Sequence, residues 1–405
     1  MRIGERPESG HLTYCTNIHA GASLDQVMAS LARYLPTIRA EVAGEEPMGV
    51  GLRLGHAAVE GLDDPGRLAE LKELLAAGSY YVFTVNGFPY GAFHGEVVKE
   101  GAYRPDWADP RRLAYTNRLA DILAELLPAG QAGSLSTVPC TFKPWAAGQV
   151  ERFTDQLIRQ VAHLCMLSSE RGRDITLALE PEPCCYLETI EETVAYFDRH
   201  LFSREAIRRL GALTGHSEPA AEAAMRRHIG VCYDVCHAAV EFEDPGASIA
   251  RLRGSGIAIA KLQLSSAMRI AQVDEDSLRR LAAFAEPVYL HQVVARSADG
   301  LRRYEDLPQA LAAAGAALAA GNLGGTEWRI HFHVPVFLAQ MQDFGTTQAF
   351  LRDILDLHRA DPISQHLEVE TYTWDVLPAR YRDVDLGSAI ARELNWVRQQ
   401  LAAGT

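Results

Sequence analysis

The sequence predicts an α/β fold in which eight parallel strands close into a (β/α)8 barrel. Short apolar runs rich in β-branched residues alternate with longer segments of helical periodicity, as in repeated βα units. Polar side chains recur where these runs end, which is typical of a barrel mouth. The 405 residues also allow two or three domains, with a smaller α+β unit starting near residue 285. Because no linker composition precedes that point, we predict one domain over residues 1–405.

The eight strands are predicted at residues 12–18, 49–54, 80–85, 134–138, 175–180, 229–235, 257–264 and 367–372. Amphipathic helices are predicted between them at 24–42, 112–127, 150–169 and 187–201, with a closing helix at 386–401. Two further strand candidates, 288–295 and 328–336, fall between the seventh and eighth strands. We therefore predict an insertion over residues 285–336.

Composition and charge narrow the class of protein. Apolar residues make up 48% of the chain and charged residues 22%, as in ordinary globular domains. The net charge of −13 argues against nucleic acid or an anionic membrane surface as the main partner. The longest mainly apolar run, 311–320, is shorter than the roughly 18 residues of a membrane span. The N-terminus lacks an apolar secretion signal, so we expect a cytoplasmic protein.

The seven cysteines are predicted to be reduced and mostly buried, because an odd number in a long chain does not suggest a disulfide framework. A zinc site is the alternative for Cys184, Cys185, Cys232 and Cys236, but their spacing is not a standard one. The glycine motifs of dinucleotide-binding folds, P-loops and hydrolase elbows are absent from the sequence.

Strand ends in a barrel converge on one mouth, so recurrent polar residues there indicate a site. Taken singly, such a residue is more often a helix cap or a surface group. The polar residues at the predicted strand ends are Asn17, His19, Arg53, His56, Asn86, Glu180, Glu182, Asp234, His237, Gln263 and Glu370.

Three of these strand-end residues predict a metal site. Glu180 precedes Pro181, which stops the strand at the mouth, and Asp234 lies in an apolar run where an unpaired charge is costly. Together with Glu370 they would repel one another unless a divalent metal neutralises them. Oxygen ligands with some imidazole suit Mg²⁺, Mn²⁺, Co²⁺ or Zn²⁺, and His237 is close enough in sequence to join them.

The predicted insertion carries three histidines. His331 and His333 alternate along the strand predicted at 328–336, which places both on one face as metal ligands or substrate hydrogen-bonding groups. In the alternative, one is a core residue and the other is solvated. His291 has apolar neighbours and is predicted to be at least partly buried.

The segment 86–107 is predicted to be a lid, because it is long for a βα loop and rich in glycine and aromatic residues. Its side chains Tyr90, His94 and Trp107, with two phenylalanines, are candidates to cover a small polyol or a hydrophobic ring. Lys99 and Arg104 either meet a phosphate or face water. Alternatively, the segment packs against a neighbouring subunit of a homo-oligomer.

Several motifs resemble known proteins. LALEPEP at Glu180, CYDVCH from Asp234 to His237 and LEVET at Glu370 resemble the xylose isomerase-like TIM-barrel superfamily of sugar isomerases, sugar epimerases and endonuclease IV-type enzymes. HLTYCTNIHAG, FTVNGFPYGAFHG, PDW, LHQV and IHFHVP resemble, more closely, the EboE group of metabolite traffic proteins, which are found with genes for a small secondary-metabolite pathway.

The resemblance implies four metal ligands at the ends of strands five to eight. In the sugar epimerases these are Glu, Asp, His and Glu, and the corresponding residues here are Glu180, Asp234, Gln263 and Glu370. The amide of Gln263 is a weaker ligand than imidazole. His333 or His291 from the insertion is therefore expected to supply the missing nitrogen.

The sequence thus predicts a metal-dependent isomerase or epimerase of a sugar, cyclitol or related polyhydroxylated metabolite. The metal would stabilise an enediolate, Glu180 and Glu370 would move the proton, and His237 would polarise an oxygen. The substrate contacts are predicted to be Asn17, His19, Arg53, Asn86, Tyr90, His94, Trp107, His291 and His331. One alternative is a metabolite carrier without catalysis, and another is a phosphodiesterase of the endonuclease IV kind, which the net charge disfavours.

Overall fold

The structure is a computed structural model that describes residues 1–4, 7–94, 97–321, 323, 325–341, 344–377 and 385–402. Residues 95 and 96 of the predicted lid, and residues 322 and 324 of the predicted insertion, lie outside the described residues. The strands are β1 His11–Tyr14, β2 Met48–Arg53, β3 Tyr80–Asn86, β4 Gly133–Thr137, β5 Ile175–Leu179, β6 Ile229–Asp234, β7 Ala258–Leu264, β8 Met268–Ile270, β9 Val293–Ser297, β10 Gly300–Tyr304, β11 Glu327–Ile330, β12 Gly345–Thr346 and β13 His366–Val369. The helices are α1 Leu24–Val42, α2 His56–Gly61, α3 Pro65–Ala77, α4 Pro110–Leu126, α5 Val150–Arg171, α6 Ile190–Tyr196, α7 Arg204–Thr214, α8 Glu218–His228, α9 Val235–Val240, α10 Pro245–Gly254, α11 Glu275–Leu281, α12 Leu307–Ala319, α13 Gln348–Ala360 and α14 Leu386–Ala402.

The predicted (β/α)8 barrel is confirmed. Its eight parallel strands follow the order β1-β13-β7-β6-β5-β4-β3-β2. The two ends of this order meet, because Cys15 and Gly51 form a parallel bridge between the β1 and β2 segments. The Thr13 hydroxyl strengthens the seam by donating to Gly49 O at 2.8 Å and accepting from Gly51 N at 2.9 Å. Gly51 is required there, since a Cβ would lie 1.8 Å from Glu368 Oε2.

The predicted insertion between the seventh and eighth barrel strands is a five-stranded antiparallel sheet in the order β10-β9-β11-β8-β12. It starts at Met268 and ends at Thr346, so it extends beyond both predicted ends. The strand predicted at 328–336 stops at Ile330, and the one predicted at 288–295 begins only at Val293. The buried apolar side chains of the barrel and of this sheet form one continuous core.

Most barrel strands end slightly earlier than predicted, so that Asn17, Glu180 and Glu370 follow their strands, whereas Asn86 and Asp234 are the last residues of theirs. β1 ends at Tyr14 and is followed by a single 3-10 turn, Thr16–Ile18. β6 ends at Asp234 because the carboxylate of this residue accepts a hydrogen bond from His237 N and so caps α9. The cap places His237 one turn beyond the strand, at the mouth.

No helix in the described ranges is long and apolar enough to span a membrane. All seven cysteines are buried and free. Cys184, Cys185 and Cys232 join no cluster of metal-ligating side chains in the described part of the chain, whereas Cys236 lies beside His331 and His333. The predicted alternative of a four-cysteine zinc site therefore has no geometric basis.

Candidate metal centre

Three carboxylates converge at the barrel mouth. Glu180, Asp234 and Glu370 each place one oxygen within 4.8 Å of the other two, and all three are buried. Backbone pairing fixes two of them, because Glu180 N donates to Thr137 O at 3.1 Å and Glu370 N donates to Leu264 O at 3.0 Å. The structure thus brings together three of the predicted metal ligands.

Hydrogen bonds satisfy only part of this acidic group. Glu370 Oε1 accepts from Asn17 Nδ2 at 2.6 Å and from Asn86 Nδ2 at 3.2 Å. Asp234 Oδ1 accepts from Ser265 Oγ at 2.7 Å. Glu180 Oε2 and Asp234 Oδ2, in contrast, are buried without a hydrogen-bond partner. Buried polar atoms are rarely left unpaired, and unpaired anionic oxygens suit a hard divalent cation. The residues therefore fit the metal that the resemblance implies.

Without a cation, Glu180 and Glu370 hold protons more tightly than usual. Burial, followed by the charges of Glu370 and Asp234, raises the pKa of Glu180 well above its ordinary value. Burial, followed by the charges of Asp234 and Glu368, raises the pKa of Glu370 to about 8. A bound cation would reverse these shifts, because it stabilises the charged form.

Three imidazoles lie beside the carboxylates. His237 Nε2 is 3.1 Å from His331 Nε2, which in turn is 3.2 Å from His333 Nε2. Asp234 belongs to this group as well, since its carboxylate and the rings of His237 and His333 contribute atoms within 4.8 Å of one another. Burial, followed by the neighbouring imidazoles, lowers the pKa of His331 well below its ordinary value. Burial also lowers the pKa of His333 to about 4.

The backbone that follows β11 delivers two of these histidines. His331 N donates to Gln292 O at 2.8 Å, and Val334 N donates to Ser266 O at 2.9 Å. The segment therefore runs extended from the second sheet across the barrel mouth. His331 and His333 do share one side, as predicted, but they lie beyond the strand rather than within it.

The structure places Gln263 away from the carboxylate group. Its Nε2 donates to Glu368 Oε1 at 3.2 Å, and its Oε1 faces Cys232 Sγ at 3.9 Å. Glu368 also pairs with Lys261, whose Nζ lies 2.6 Å from its Oε1. These contacts correct the predicted metal ligand: Gln263 joins a buried ion pair one layer below Glu370, because alternate residues of a strand share a face.

His291 is also absent from the imidazole group. Its Nδ1 lies 3.1 Å from His331 O, and its Nε2 lies 2.8 Å from Glu286 Oε1. Both ring nitrogens are therefore engaged, and neither the metal-ligand nor the substrate-contact prediction for His291 fits this position. His291 instead supports the backbone of His331.

A cavity of about 60 Å³ opens above the carboxylates. The polar residues that line it include Asn17, Asn86, Glu180, Glu182, His237, His331 and Glu370. Three aromatic rings, Phe93, Tyr289 and Tyr372, form part of its wall and pack together with ring centroids 5.1 to 5.2 Å apart. The cavity thus combines polar groups near the candidate metal with apolar surfaces around them.

The predicted lid forms another part of this wall and is fastened to the insertion. Lys99 Nζ lies 2.6 Å from Asp306 Oδ2 and donates to Tyr289 O at 2.7 Å. His94 Nδ1 lies 3.1 Å from the Tyr289 hydroxyl, and His94 Nε2 contacts Asn17 O. His94 therefore bridges the lid and the β1 loop, although it does not line the cavity itself.

Four further predicted substrate contacts are engaged elsewhere. His19 Nε2 lies 2.9 Å from the Tyr14 hydroxyl, and its ring stacks on Tyr34. Trp107 is fully buried and donates from Nε1 to Thr137 Oγ1 at 3.2 Å.

Arg53 and Tyr90 are the other two. Arg53 donates to Gly21 O at 3.2 Å and to Pro89 O at 3.3 Å, and it also contacts Gly91 O. Tyr90 stacks on His56 with ring centroids 4.5 Å apart. The described residues that line the cavity do not include Arg53 or Tyr90. The structure therefore does not place His19, Arg53, Tyr90 or Trp107 at the cavity, where a substrate contact was predicted for each.

The structure also shows site residues that were not assigned a role from the sequence. The Tyr103 hydroxyl donates to Glu182 Oε1 at 2.8 Å and accepts from Gln292 Nε2 at 2.8 Å. Gln292 Oε1 lies 2.7 Å from His331 Nδ1. Gln292 follows His291 in LHQV, and Glu182 lies two residues after Glu180, so both were adjacent to predicted residues. Tyr289 and Tyr372 gave no signal beyond their aromatic character.

Neither a protein-family model nor a curated protein sequence matches the chain. Among solved structures, a probable 3-DHS dehydratase, AsbF, from Bacillus anthracis is 13% identical with a TM-score of 0.43, covering 95% of this chain and 97% of that one. The IOLI protein with a binding zinc atom is 12% identical with a TM-score of 0.45, covering 96% and 97%. A xylose isomerase domain protein from Planctomyces limnophilus is 11% identical with a TM-score of 0.48, covering 97% and 98%. At this distance, the activities and ligands of those proteins do not transfer to this chain.

Proposed function

We propose that this protein is a metal-dependent isomerase or epimerase of a sugar, a cyclitol or a related polyhydroxylated metabolite. The observation that carries the proposal is the group of three buried carboxylates at the barrel mouth, in which Glu180 Oε2 and Asp234 Oδ2 lack partners. Glu180, Asp234 and Glu370 would hold the ion. The oxygen donors favour Mg²⁺ or Mn²⁺, and the adjacent imidazoles extend the choice to Co²⁺ or Zn²⁺.

A bound divalent metal would supply Lewis-acid polarisation of substrate oxygens. Glu180 and Glu370 both line the cavity, and they come from strands separated by β6 and β7. One carboxylate would remove a proton from a carbon next to a carbonyl, and the other would return it. Asn17 and Asn86 hold Glu370 Oε1 in place for this transfer. His237 lines the same cavity, where polarisation of a substrate oxygen is its proposed role.

The cavity wall supports a small polyhydroxylated substrate. Aromatic rings such as Tyr289 and Tyr372 present apolar faces, on which the C–H faces of a sugar or cyclitol can lie. Asn17, whose Oδ1 is buried without a hydrogen-bond partner, adds a polar contact. Since a cavity of about 60 Å³ holds only a few water molecules, we propose that the lid moves to admit the substrate.

Three broader assignments are also part of the proposal. The continuous core of barrel and insertion supports a single domain over residues 1–405. Seven buried free thiols fit a reducing compartment such as the cytoplasm. Membership of the EboE group, with its secondary-metabolite pathway, is supported by the motifs that contain Asn17, Asn86, His331 and His333, because these residues meet at the mouth.

The decisive experiment incubates the metal-loaded protein with aldoses, ketoses and inositols in deuterated water. Proton NMR follows isomer formation, and mass spectrometry follows deuterium incorporation. We expect Glu180→Gln and Glu370→Gln each to slow turnover by about 10²- to 10⁴-fold, the usual contribution of an acid–base group. Glu393→Gln is the matched control, since Glu393 is a buried carboxylate that does not line the cavity.

Product formation that depends on Glu180 and Glu370 but not on Glu393 would support the proposal. Tight binding of a polyol, without isomer formation or exchange in any variant, would contradict it and favour the metabolite carrier. Phosphodiester cleavage at rates that exceed polyol turnover would contradict it in favour of the endonuclease IV-like alternative.

A further inference from the structure

Asn17 lines the cavity with a side chain that the protein itself uses only in part. Its Nδ2 donates to Glu370 Oε1 at 2.6 Å. The same carboxylate oxygen accepts from Asn86 Nδ2 at 3.2 Å, and the Asn86 amide is oriented by Phe88 N, which donates to Asn86 Oδ1 at 3.0 Å. Glu370 Oε1 is therefore an acceptor, and Asn17 must turn its Nδ2, not its Oδ1, towards it.

The remaining polar atom of the Asn17 side chain has no partner. Its Oδ1 is buried and accepts no hydrogen bond from the residues that the structure describes, whereas Asn86 Oδ1 is occupied. Asn17 is 3% exposed and lies in the 3-10 turn Thr16–Ile18 at the cavity wall. An unpaired buried acceptor is costly, so such atoms usually find a donor. Of the two amides at Glu370, that of Asn17 has an acceptor left for a ligand.

The ammonium at the cavity wall is already saturated by the protein. Lys99 is the only lysine or arginine among the described residues that line the cavity, and its Nζ meets three acceptors. These are Asp306 Oδ2 at 2.6 Å, Tyr289 O at 2.7 Å and Glu286 O at 3.2 Å. An ammonium has three N–H groups, so none is left to bind an anionic substrate group.

Two arginines near the lid are engaged away from the cavity. Arg104 lies over the Trp145 ring, 3.9 Å from its centroid, and Arg53 donates to backbone carbonyl groups. Neither is among the described residues that line the cavity. Lys99 and Arg104 therefore do not offer a phosphate the contact that the sequence allowed for them.

The acidic groups of the cavity also act against an anionic substrate. Glu180, Glu182 and Glu370 line it, and Asp234 lies beside them. One divalent ion would not balance the formal charge of these four carboxylates. A phosphate group adds a charge of about −1.5 to −2 at pH 7, which the carboxylates would repel. The hydroxyl groups of an uncharged polyol, in contrast, can donate hydrogen bonds to the acceptors of the cavity.

We propose that Asn17 determines the specificity of the cavity: its Oδ1 accepts a hydrogen bond from one hydroxyl group of the substrate, and the site takes the free polyol in preference to its phosphate ester. The inference rests on the proposed function, which brings a polyhydroxylated metabolite to this cavity. It adds the chemical form of the substrate and the residue that selects it. Asn86, in contrast, is a positioning residue that acts through Glu370.

The test measures binding, not turnover, on full-length protein loaded with Mn²⁺. Isothermal titration calorimetry compares D-glucose, D-fructose and myo-inositol with their monodeoxy analogues and with D-glucose 6-phosphate, D-fructose 6-phosphate and myo-inositol 1-phosphate. We expect a free polyol to bind and its phosphate ester to bind at least about 10-fold more weakly, because like charges meet. Loss of the hydroxyl that Asn17 contacts should weaken binding about 10- to 100-fold, because the buried acceptor is left without a donor.

Variants assign the hydroxyl preference to Asn17. In Asn17→Ala, the analogue that lacks the contacted hydroxyl should bind as tightly as the parent polyol, while the losses at other positions remain. Asn86→Ala removes the other amide at Glu370 and should keep the wild-type preference at every position.

Asn117→Ala is the matched control. Asn117 Oδ1 also lacks a partner in the described part of the chain, but Asn117 does not line the cavity, so this variant should bind as the wild type does. Circular dichroism and thermal unfolding identify any variant that does not fold. The comparison of polyol, deoxy analogue and phosphate ester on the wild-type protein requires no variant.

The outcomes separate this proposal from the isomerase proposal. A phosphate ester that binds as tightly as the free polyol, or a hydroxyl preference that is unchanged in Asn17→Ala, would overturn the inference and leave the isomerase proposal intact. Polyol binding with the expected preferences, but without isomer formation or deuterium exchange, would support the inference and count against the isomerase. Binding of none of the three polyols to the wild-type protein would overturn the inference outright.

Discussion

Buried carboxylates lie in two layers inside the barrel, and the surroundings of the two layers differ. In the lower layer, Glu368 is paired with Lys261 at 2.6 Å, and both side chains are fully buried. In the upper layer, Glu180, Asp234 and Glu370 form no ion pair with a lysine or arginine among the described residues. A buried charge is costly unless it is paired or bound to metal. In the interior of the barrel, the ammonium of Lys261 therefore neutralises the buried carboxylate, whereas at the mouth no lysine or arginine among the described residues does so.

The charges of the lower layer also act on the carboxylates of the upper one. Burial lowers the pKa of Lys261, but the charge of Glu368 and the other acidic groups raise it more, so the ammonium stays charged. That positive charge also acts on Glu180 and Glu370, whose pKa values it partly lowers against the dominant effect of burial. At Glu370, however, the charge of Glu368 raises the pKa more than that of Lys261 lowers it, so the two members of the ion pair act on this carboxylate in opposite directions.

The largest expected effect comes from breaking the lower pair. Lys261→Met would leave Glu368 buried and uncompensated, which should reduce the free energy of unfolding by about 3–5 kcal/mol. Urea unfolding of the metal-free protein measures this loss. Lys72→Met is the control, because Lys72 forms an exposed pair with Glu125, and should cost at most about 1 kcal/mol.

The double variant Lys261→Met/Glu368→Leu should recover most of the stability lost in Lys261→Met, since apolar replacement of a buried ion pair is often neutral. Equal losses in Lys261→Met and Lys72→Met would show that the lower layer does not depend on its cation, and the contrast between the layers would fail.

A further buried carboxylate, Glu393 in α14, lies outside the candidate metal centre and forms no ion pair in the part of the chain that the structure describes. Its Oε1 accepts from Thr371 Oγ1 at 2.7 Å and from Val336 N at 3.0 Å. Burial raises its pKa from 4.5 to about 7. Because the folded state binds this proton more tightly, the stabilisation is complete below pH 4.5 and is lost as the pH rises through 7.

Between pH 4.5 and 7, Glu393 should therefore lower the free energy of unfolding by about 3 kcal/mol, since each unit of pKa difference corresponds to about 1.4 kcal/mol. Glu393→Gln keeps an acceptor for both hydrogen bonds but cannot ionise. The difference in unfolding free energy between wild type and Glu393→Gln, measured in urea at several pH values, isolates this contribution. A difference that is constant from pH 5 to 8 would show that Glu393 is ionised throughout.

The sequence was sufficient to predict the barrel fold and the three carboxylates at its mouth, because both predictions follow from the order of the strands and from the residues at their ends. Glu180 before Pro181 and Asp234 inside an apolar run mark the points where parallel strands reach the mouth. Gln263 shows the limit of this reasoning. It lies in register with Glu368, one layer below Glu370, and such a register depends on pairing between distant strands.

The histidines and the lid show a second limit. The spacing of His331 and His333 predicts a shared face, but their approach to His237 requires the second sheet to dock over the barrel. The aromatic content of the lid likewise predicts burial without indicating which rings face the cavity. Phe93 lines it, whereas Trp107, at the end of the same segment, is buried against β4 and donates to Thr137.

The smallest effect, and the most direct test of the comparison, is the response of the upper layer to metal. Wild-type protein at a Mn²⁺ concentration 100 times the dissociation constant should gain about 2.7 kcal/mol over the chelated protein. If Glu180→Gln weakens binding 100-fold, the variant should gain only about 0.4 kcal/mol at the same concentration. With chelator, the free energy of unfolding should be higher for Glu180→Gln than for the wild type, because the substitution removes a buried carboxylate that faces two others. Urea unfolding of both proteins with Mn²⁺ and with chelator gives the four values, and Glu393→Gln should respond to metal as the wild type does. The same gain in Glu180→Gln as in the wild type would mean that the upper carboxylates, like Glu368, are neutralised within the chain itself.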